Sequence, residues 1–179
     1  MSKFVTPIVN GAFLALSEPR IAPGGEEDSA KYQITVVLDS DDKFWKKLQK
    51  QIKACAVAKW GKVPPKCVLP IKDGDDTDYP EFGGCNTVSM ASKRRPEIVD
   101  SSNQPIVGAA DIGSGDLFRV SYSVYAWEFP PLNRKGVSVS LSNVRWEGEG
   151  DERWDGGSKA ADDFADFAEE SGEADDLLG

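Results

Sequence analysis

Two runs of strict alternation in the second half of the chain leave little choice of local structure. In 118–127, Phe118, Val120, Tyr122, Val124 and Ala126 point one way, and Arg119, Ser121, Ser123, Tyr125 and Trp127 point the other. In 137–142, Val137, Val139 and Leu141 alternate with Ser138, Ser140 and Ser142. A period of two is that of an extended strand with one face in a core. Asn133, Arg134, Lys135 and Gly136 between the runs read as a basic turn, so the segment is expected to form a hairpin with one apolar and one polar face.

The first half adds strands and one helix. Residues 31–38 alternate as cleanly, with Tyr32, Ile34, Val36 and Leu38 on one face. Residues 4–16 are β-tolerant but interrupted by Pro7 and Gly11, which suits an edge or bent strand. Asp39, Ser40, Asp41 and Asp42 supply the oxygen and negative charge of a helix start, and Gly61 followed by Pro64 and Pro65 supplies the stop. At 100° per residue, Phe44, Trp45, Leu48, Ile52, Cys55 and Ala56 share one face, opposite Lys46, Lys47, Lys50 and Lys53. Residues 88–91 suggest a short strand. Several strands, one amphipathic helix, long loops and no repeat point to a mainly β fold, a small barrel or sandwich capped by the helix, with an OB-type β-barrel as a natural candidate.

Charge divides the chain. The formal net charge is -9, yet 147–179 holds 13 acids and two bases, a net -11, which leaves +2 for 1–146. The acidic segment is rich in Gly, Ala and Ser, so self-repulsion and a shortage of large apolar groups favour disorder. The expected organisation is a body over 1–146 and an acidic, mostly disordered interaction tail over 147–179. Phe164, Phe167, Asp175, Asp176, Leu177 and Leu178 are the tail residues expected to meet a partner, as apolar anchors set among acids.

Several chemistries are excluded or disfavoured. With no histidine in the chain, Ser-His-Asp and Cys-His constellations and imidazole acid–base catalysis are absent. Cys55, Cys67 and Cys85 fit neither a zinc pattern nor a disulfide framework and suit a reducing cytoplasm. No apolar run has membrane-span length and no secretory signal is evident, so a soluble, intracellular protein without a membrane partner is expected. Gly113-Ser114-Gly115 lacks the rest of a dinucleotide fingerprint, no P-loop occurs, and no cofactor is expected. The acidic run 73–78 lacks the glycine and glutamate of a calcium loop. A metal-dependent nuclease using Asp73, Asp75, Asp78 and Glu81 is a rival reading, with a solvated turn as the simpler one.

Arg119, Tyr125 and Trp127 on one strand face, with Arg134 and Lys135 in the adjoining turn and Lys93, Arg94 and Arg95 in a second basic turn, have the chemistry of a single-stranded nucleic-acid groove. Exposed bases stack on aromatics while cations follow the phosphates. The same aromatics would equally serve a second core or a homodimer interface. A tail of -11 on a body of +2 is suited to competing for the groove until a strand displaces it. A second rival is an interaction protein whose acidic tail mimics nucleic acid.

The residues also resemble the phage-encoded OB-fold single-stranded DNA-binding proteins. The resemblance is carried by Lys3-Phe4-Val5-Thr6-Pro7, Lys59-Trp60-Gly61-Lys62, Leu69-Pro70-Ile71-Lys72-Asp73-Gly74-Asp75, Arg95-Pro96-Glu97-Ile98-Val99-Asp100, Val124-Tyr125-Ala126-Trp127-Glu128, and Lys135-Gly136-Val137 leading to Leu141-Ser142-Asn143-Val144. It implies a non-enzymatic protein that coats single-stranded DNA with little sequence preference in phage replication and recombination, in the cytoplasm of an infected host. An acidic tail contacting replication or recombination proteins is implied as well. Arg119, Tyr125 and Trp127 look like the family's basic and aromatic strand positions, and Lys93 like its lysine in an Ala-Lys-Ser stretch. Gly83-Gly84-Cys85-Asn86-Thr87-Val88 departs from the family by lacking aromatics, which leaves Tyr79 and Phe82 as substitutes.

Overall fold

Alternation produces a closed barrel. The computed structural model describes residues 2–21, 24–77, 79–106, 112–151, 154 and 164–167. Among them lie β1 (Phe4–Val5), β2 (Val9–Arg20), β3 (Lys31–Asp39), α1 (Lys43–Trp60), β4 (Ile71–Asp73), β5 (Cys85–Ser92), β6 (Ile98–Val99), β7 (Leu117–Phe129) and β8 (Arg134–Gly148). Antiparallel pairing joins β7 to β2, β2 to β3, and β3 to β5. Parallel pairing joins β5 to β8, and the long antiparallel hairpin returns from β8 to β7. These five strands therefore form a ring, the arrangement of an OB-type barrel. β1, β4 and β6 extend it on β7, β5 and β8.

Most of the alternating residues expected in the core are there, while Tyr32, Val124 and Ala126 are only half-buried. Ile34, Val36, Val88, Met90, Phe118, Val120 and Tyr122 are completely buried, with Leu38, Val137, Val139, Leu141 and Val144 nearly so. Gly11 bends no turn. The Phe118 ring packs across it, and a Cβ there would lie 2.7 Å from Phe118 Cδ2.

One seam is incomplete. β5 meets β8 only at Met90↔Val139 and Ala91↔Ser140, and the strands splay before those positions. The segment 68–73 fills the gap. Val68 N–H donates to Lys135 O (2.9 Å) and Val68 O accepts from Val137 N–H (2.9 Å), while Pro70 O accepts from Ser89 N–H (3.2 Å). Ile71, Lys72 and Asp73 then pair with Val88, Thr87 and Asn86. β4 and β6 are too short to leave a periodic signal in the sequence.

The hairpin turn is displaced from its expected position. Pro130–Leu132 forms a single 3₁₀ turn and Asn133 takes a left-handed conformation at φ 50°. Proline presets φ and asparagine tolerates the left-handed region, so the reversal occurs there. Arg134 and Lys135 already belong to β8, opposite Phe129 and Glu128. Gly136 lies within the strand because the Trp127 ring crosses it, leaving 2.3 Å between Cζ2 and an added Cβ.

α1 lies against β7 and β8. Asp42 caps it by accepting from Phe44 N–H (2.7 Å), and Gly61 ends it at φ 79°. Phe44, Trp45, Leu48, Ile52 and Ala56 are buried as the helical period requires. Tyr122 O–H donates to Gln51 Oε1 (2.7 Å), and burial pushes this phenol up to about 12. At the far end, Trp60 Nε1–H donates to the Glu128 carboxylate, and the Lys135 ammonium lies 5.8 Å from the Trp60 ring centroid. That indole hydrogen bond holds the Glu128 carboxyl below its ordinary value, assisted by Lys135 and Lys59.

Leu48 is fully buried between helix and barrel, so Leu48→Ala is expected to lower stability by about 2–5 kcal/mol in denaturant titration. Because the folded-state pKa of Glu128 is depressed, its clasp on Trp60 is complete above the ordinary carboxylate pKa and is lost as pH falls through the lower folded value. An NMR titration should show the Trp60 indole N–H shifting with a midpoint below that of free glutamate, and Glu128→Gln should abolish that step.

Candidate nucleic-acid interface

The outer faces of β3 and β5 form the floor of an open groove. Gln33 and Thr35 come from β3, and Thr87 and Ser89 from β5. Leu69, Pro70, Ile71 and Lys72, the residues that fill the barrel seam, make one wall, and Phe13, Arg20, Tyr79 and Phe82 make the other. This hollow of about 550 Å³ shares Leu69, Pro70 and Ser89 with a second of about 240 Å³, which adds Lys31, Tyr125 and Ser138.

A bulge and a tight loop bring its aromatics together. The β2 register shifts between Ala12 and Ala15, and Phe13 adopts φ 50°, a rare conformation for a side chain of this size. Its ring meets Tyr79 edge-on at 5.1 Å and Phe82 at 5.8 Å. Tyr79 is 44% exposed, whereas Phe82 is 1% exposed and supports the pair from below. Of the two expected substitutes, only Tyr79 therefore presents a surface.

The acidic loop builds this support. Asp73 accepts from Asp75 N–H (2.9 Å), Asp75 from Gly84 N–H (2.9 Å), and Thr77 O–H donates to Gly74 O (2.7 Å). Gly74 passes so close to Phe82 O that an added Cβ would lie 1.9 Å from it. Asp78 lies outside the described residues, among which no group of three metal-ligating side chains occurs. Burial pushes the Cys55 and Cys85 thiols up, with Asp39 and Asp75 adding to the effect at Cys85, so these two remain protonated at neutral pH.

The expected site residues are distributed unevenly. Tyr125 lines the second hollow. Trp127, next on the same strand face, donates from Nε1 to Ser138 Oγ (2.9 Å) and lies across Gly136. Lys93, Arg94 and Arg95 are exposed just beyond β5, where Ser92 pairs with Tyr32. Lys31 precedes Tyr32 and is itself opposite Arg20, so Arg20, Lys31 and the start of the basic turn lie at the same end of the β2–β3–β5 sheet, while Arg95 lines a separate hollow with Ser17 and Ile98. Arg134 is exposed near the hairpin tip, while Lys135 is half-buried over Trp60.

Arg119 does not join them. It is six residues from Tyr125, about 20 Å along a strand. Its guanidinium is 3.5 Å from the Glu147 carboxylate, which also meets Arg145 at 2.8 Å. Alternation placed Arg119 on the correct face without revealing this local counter-charge. Conversely, Arg20, Lys31, Lys72 and Phe13 escaped the sequence reading. The first three stand singly in sequence, and Phe13 reads as an ordinary core residue until the bulge turns it outward.

Ordered contacts continue beyond the boundary expected at Trp146. β8 runs to Gly148, and the Asp116 carboxylate accepts from Trp146 Nε1–H (3.1 Å) and Gly113 N–H (2.9 Å). Trp154 N–H donates to Ser114 O (3.0 Å), and its ring meets Phe82 at 5.6 Å. Phe164 and Phe167 are exposed and pack against each other at 6.2 Å. Asp175, Asp176, Leu177 and Leu178 lie outside the described residues.

Comparison with known proteins bears on the family and the fold. The family model described as "Enterobacter phage Enc34, ssDNA-binding protein" matches residues 2–178. Putative protein p50 of Acyrthosiphon pisum secondary endosymbiont phage 1 is 30% identical over 101 residues, 55% of this chain and 52% of that protein. The chain thus spans about half the length of this curated relative. The single-stranded DNA-binding protein from bacteriophage Enc34, solved in complex with ssDNA, has a TM-score of 0.73 at 22% identity, over 85% of this chain and 89% of that one. The bacteriophage T7 single-stranded DNA-binding protein gp2.5 has a TM-score of 0.64 at 15% identity, over 89% and 98%. These structural likenesses speak for the fold, and the family match covers nearly the whole sequence. The chain belongs to the Enc34 single-stranded DNA-binding protein family.

Proposed function

We propose that this protein coats single-stranded DNA without sequence preference during phage replication and recombination, in the cytoplasm of the infected host. Its function is binding rather than catalysis. The observation that carries the reading is the open β3–β5 groove, with the Phe13–Tyr79 pair on one wall and cations at its end and edge. In this reading Phe13, Tyr79, Tyr125 and Trp127 offer faces to bases, while Arg20, Lys31, Lys72, Lys93, Arg94, Arg95, Arg134 and Lys135 attract phosphates. Stacking accepts any base, because every base has a π face. The floor is poorly placed to read base edges: Gln33 Nε2 already donates to Phe13 O (3.3 Å), and Thr87 O–H to Lys72 O (3.2 Å).

The acidic tail is an intramolecular competitor for this groove. Trp154, pinned beside Ser114, starts the tail directly behind Phe82, one ring away from Phe13 and Tyr79. DNA entering the groove displaces the acids and frees them for replication or recombination proteins. Among the described residues no helix is long and apolar enough to cross a membrane.

Oligothymidylate titration by fluorescence anisotropy tests the groove. Tyr79→Ala is expected to weaken binding by about 1–3 kcal/mol with the fold intact, and affinity should fall steeply with salt. Unchanged affinity would remove Tyr79 from the interface. Deleting 155–179 should tighten binding, most of all at low salt, where the competing charges are least screened. Equal affinities with and without the tail would refute the competition.

A further inference from the structure

α1 presents a second charged surface that the groove does not use. Lys43, Lys46, Lys47, Lys50 and Lys53 are all exposed and follow one another at helical neighbour spacing. No acid occurs in the sequence between Lys43 and Lys72. Among the described residues the ion pairs are those of Arg119 and Arg145 with Glu147, so none of these lysines is held in one, and the nearest acids in sequence, Asp41 and Asp42, stand at the helix start. Like charges at this spacing oppose helix stability.

The chemistry of the face differs from that of the groove. Phe44 and Trp45 are turned into the core at 7% and 6% exposure, so the lysines have no aromatic beside them on which a base could stack. Toward the helix C-terminus the face changes from lysine to small apolar residues, ending at Val57, which is 40% exposed, with Val63 (41%) just beyond. A polyanion that carries short apolar groups fits this surface better than a nucleic acid.

The chain contains such a segment. Asp162, Asp163 and Asp166 are interleaved with Phe164 and Phe167 within a region of charge -11. In the single chain both rings are exposed, at 62% and 59%, and they touch each other. We infer that the lysine face of α1 docks the acidic tail of a second copy of this chain, with the aspartates along the lysines and the two phenylalanines beside the exposed Val57. The inference rests on the proposed function, in which bound DNA frees the tail from its own groove. Copies held on one strand are close together, which raises the effective concentration of each tail at its neighbour's helix.

The test is sedimentation equilibrium of the full-length chain, saturated with a short oligothymidylate, at low and high salt. The parent should self-associate at low salt and dissociate at high salt. Lys46→Glu/Lys47→Glu/Lys50→Glu and Asp162→Lys/Asp163→Lys/Asp166→Lys should each be monomeric, while an equal mixture of the two should associate again. The lysine variant should retain the parent's affinity for the oligonucleotide. A monomeric parent, association that survives the lysine reversal, or loss of oligonucleotide affinity in that variant would each overturn the inference. Failure of the parent itself to bind the oligonucleotide would instead overturn the groove reading. Phe164→Ala/Phe167→Ala, which leaves the barrel untouched, provides an independent variant and should also weaken association.

Discussion

The narrow parallel seam between β5 and β8 governs much of the architecture. An OB-type ring needs one parallel closure, and here it is made at two positions, Met90↔Val139 and Ala91↔Ser140. Had the two strands paired further, their outer faces would form continuous sheet. Instead they separate, and 68–73 bonds to β8 through Val68 and to β5 through Pro70 and β4. That inserted segment satisfies backbone groups that the splayed strands would otherwise leave unpaired. It also stands above the sheet as a wall. The groove is therefore a consequence of how the barrel closes.

The same economy governs the charges. Asp73 and Asp75 build the loop that carries Tyr79 and Phe82, and Glu147 draws Arg119 and Arg145 to the opposite end of the hairpin. Asp73 and Asp75 are thus tied to backbone, while Arg20, Lys31 and the basic turn after β5 are exposed. The protein can be acidic overall and still offer phosphates a favourable path, because the excess acid is concentrated after β8.

Much of the fold was legible because most of the barrel obeys one period. Alternation identified β3, β7 and β8 and the core residues Ile34, Val36, Val120, Tyr122 and Val139, and capping chemistry placed α1 between Asp42 and Gly61. Legibility failed where the period breaks or the element is too short. The Phe13 bulge, the two-residue β6 and the three-residue β4 leave no periodic trace. Gly136 suggested a turn, yet the glycine is required by the Trp127 ring pressed against it. The site suffered more than the fold, because alternation reports the face of a strand but not position along it. Arg119 and Tyr125 share a face and belong to different ends of the hairpin.

Phe82 links the two halves of the proposed mechanism. It has no exposed surface of its own, yet Phe13 and Tyr79 rest on one side of it and Trp154 on another. A strand that stacks on the outer pair and a tail that begins at Trp154 therefore bear on the same buried ring. Competition between them needs no rearrangement transmitted through the barrel. Acids follow Trp154 in sequence from Asp155 onward, and in the proposed competition base stacking on Tyr79 would exclude them sterically as well as electrostatically.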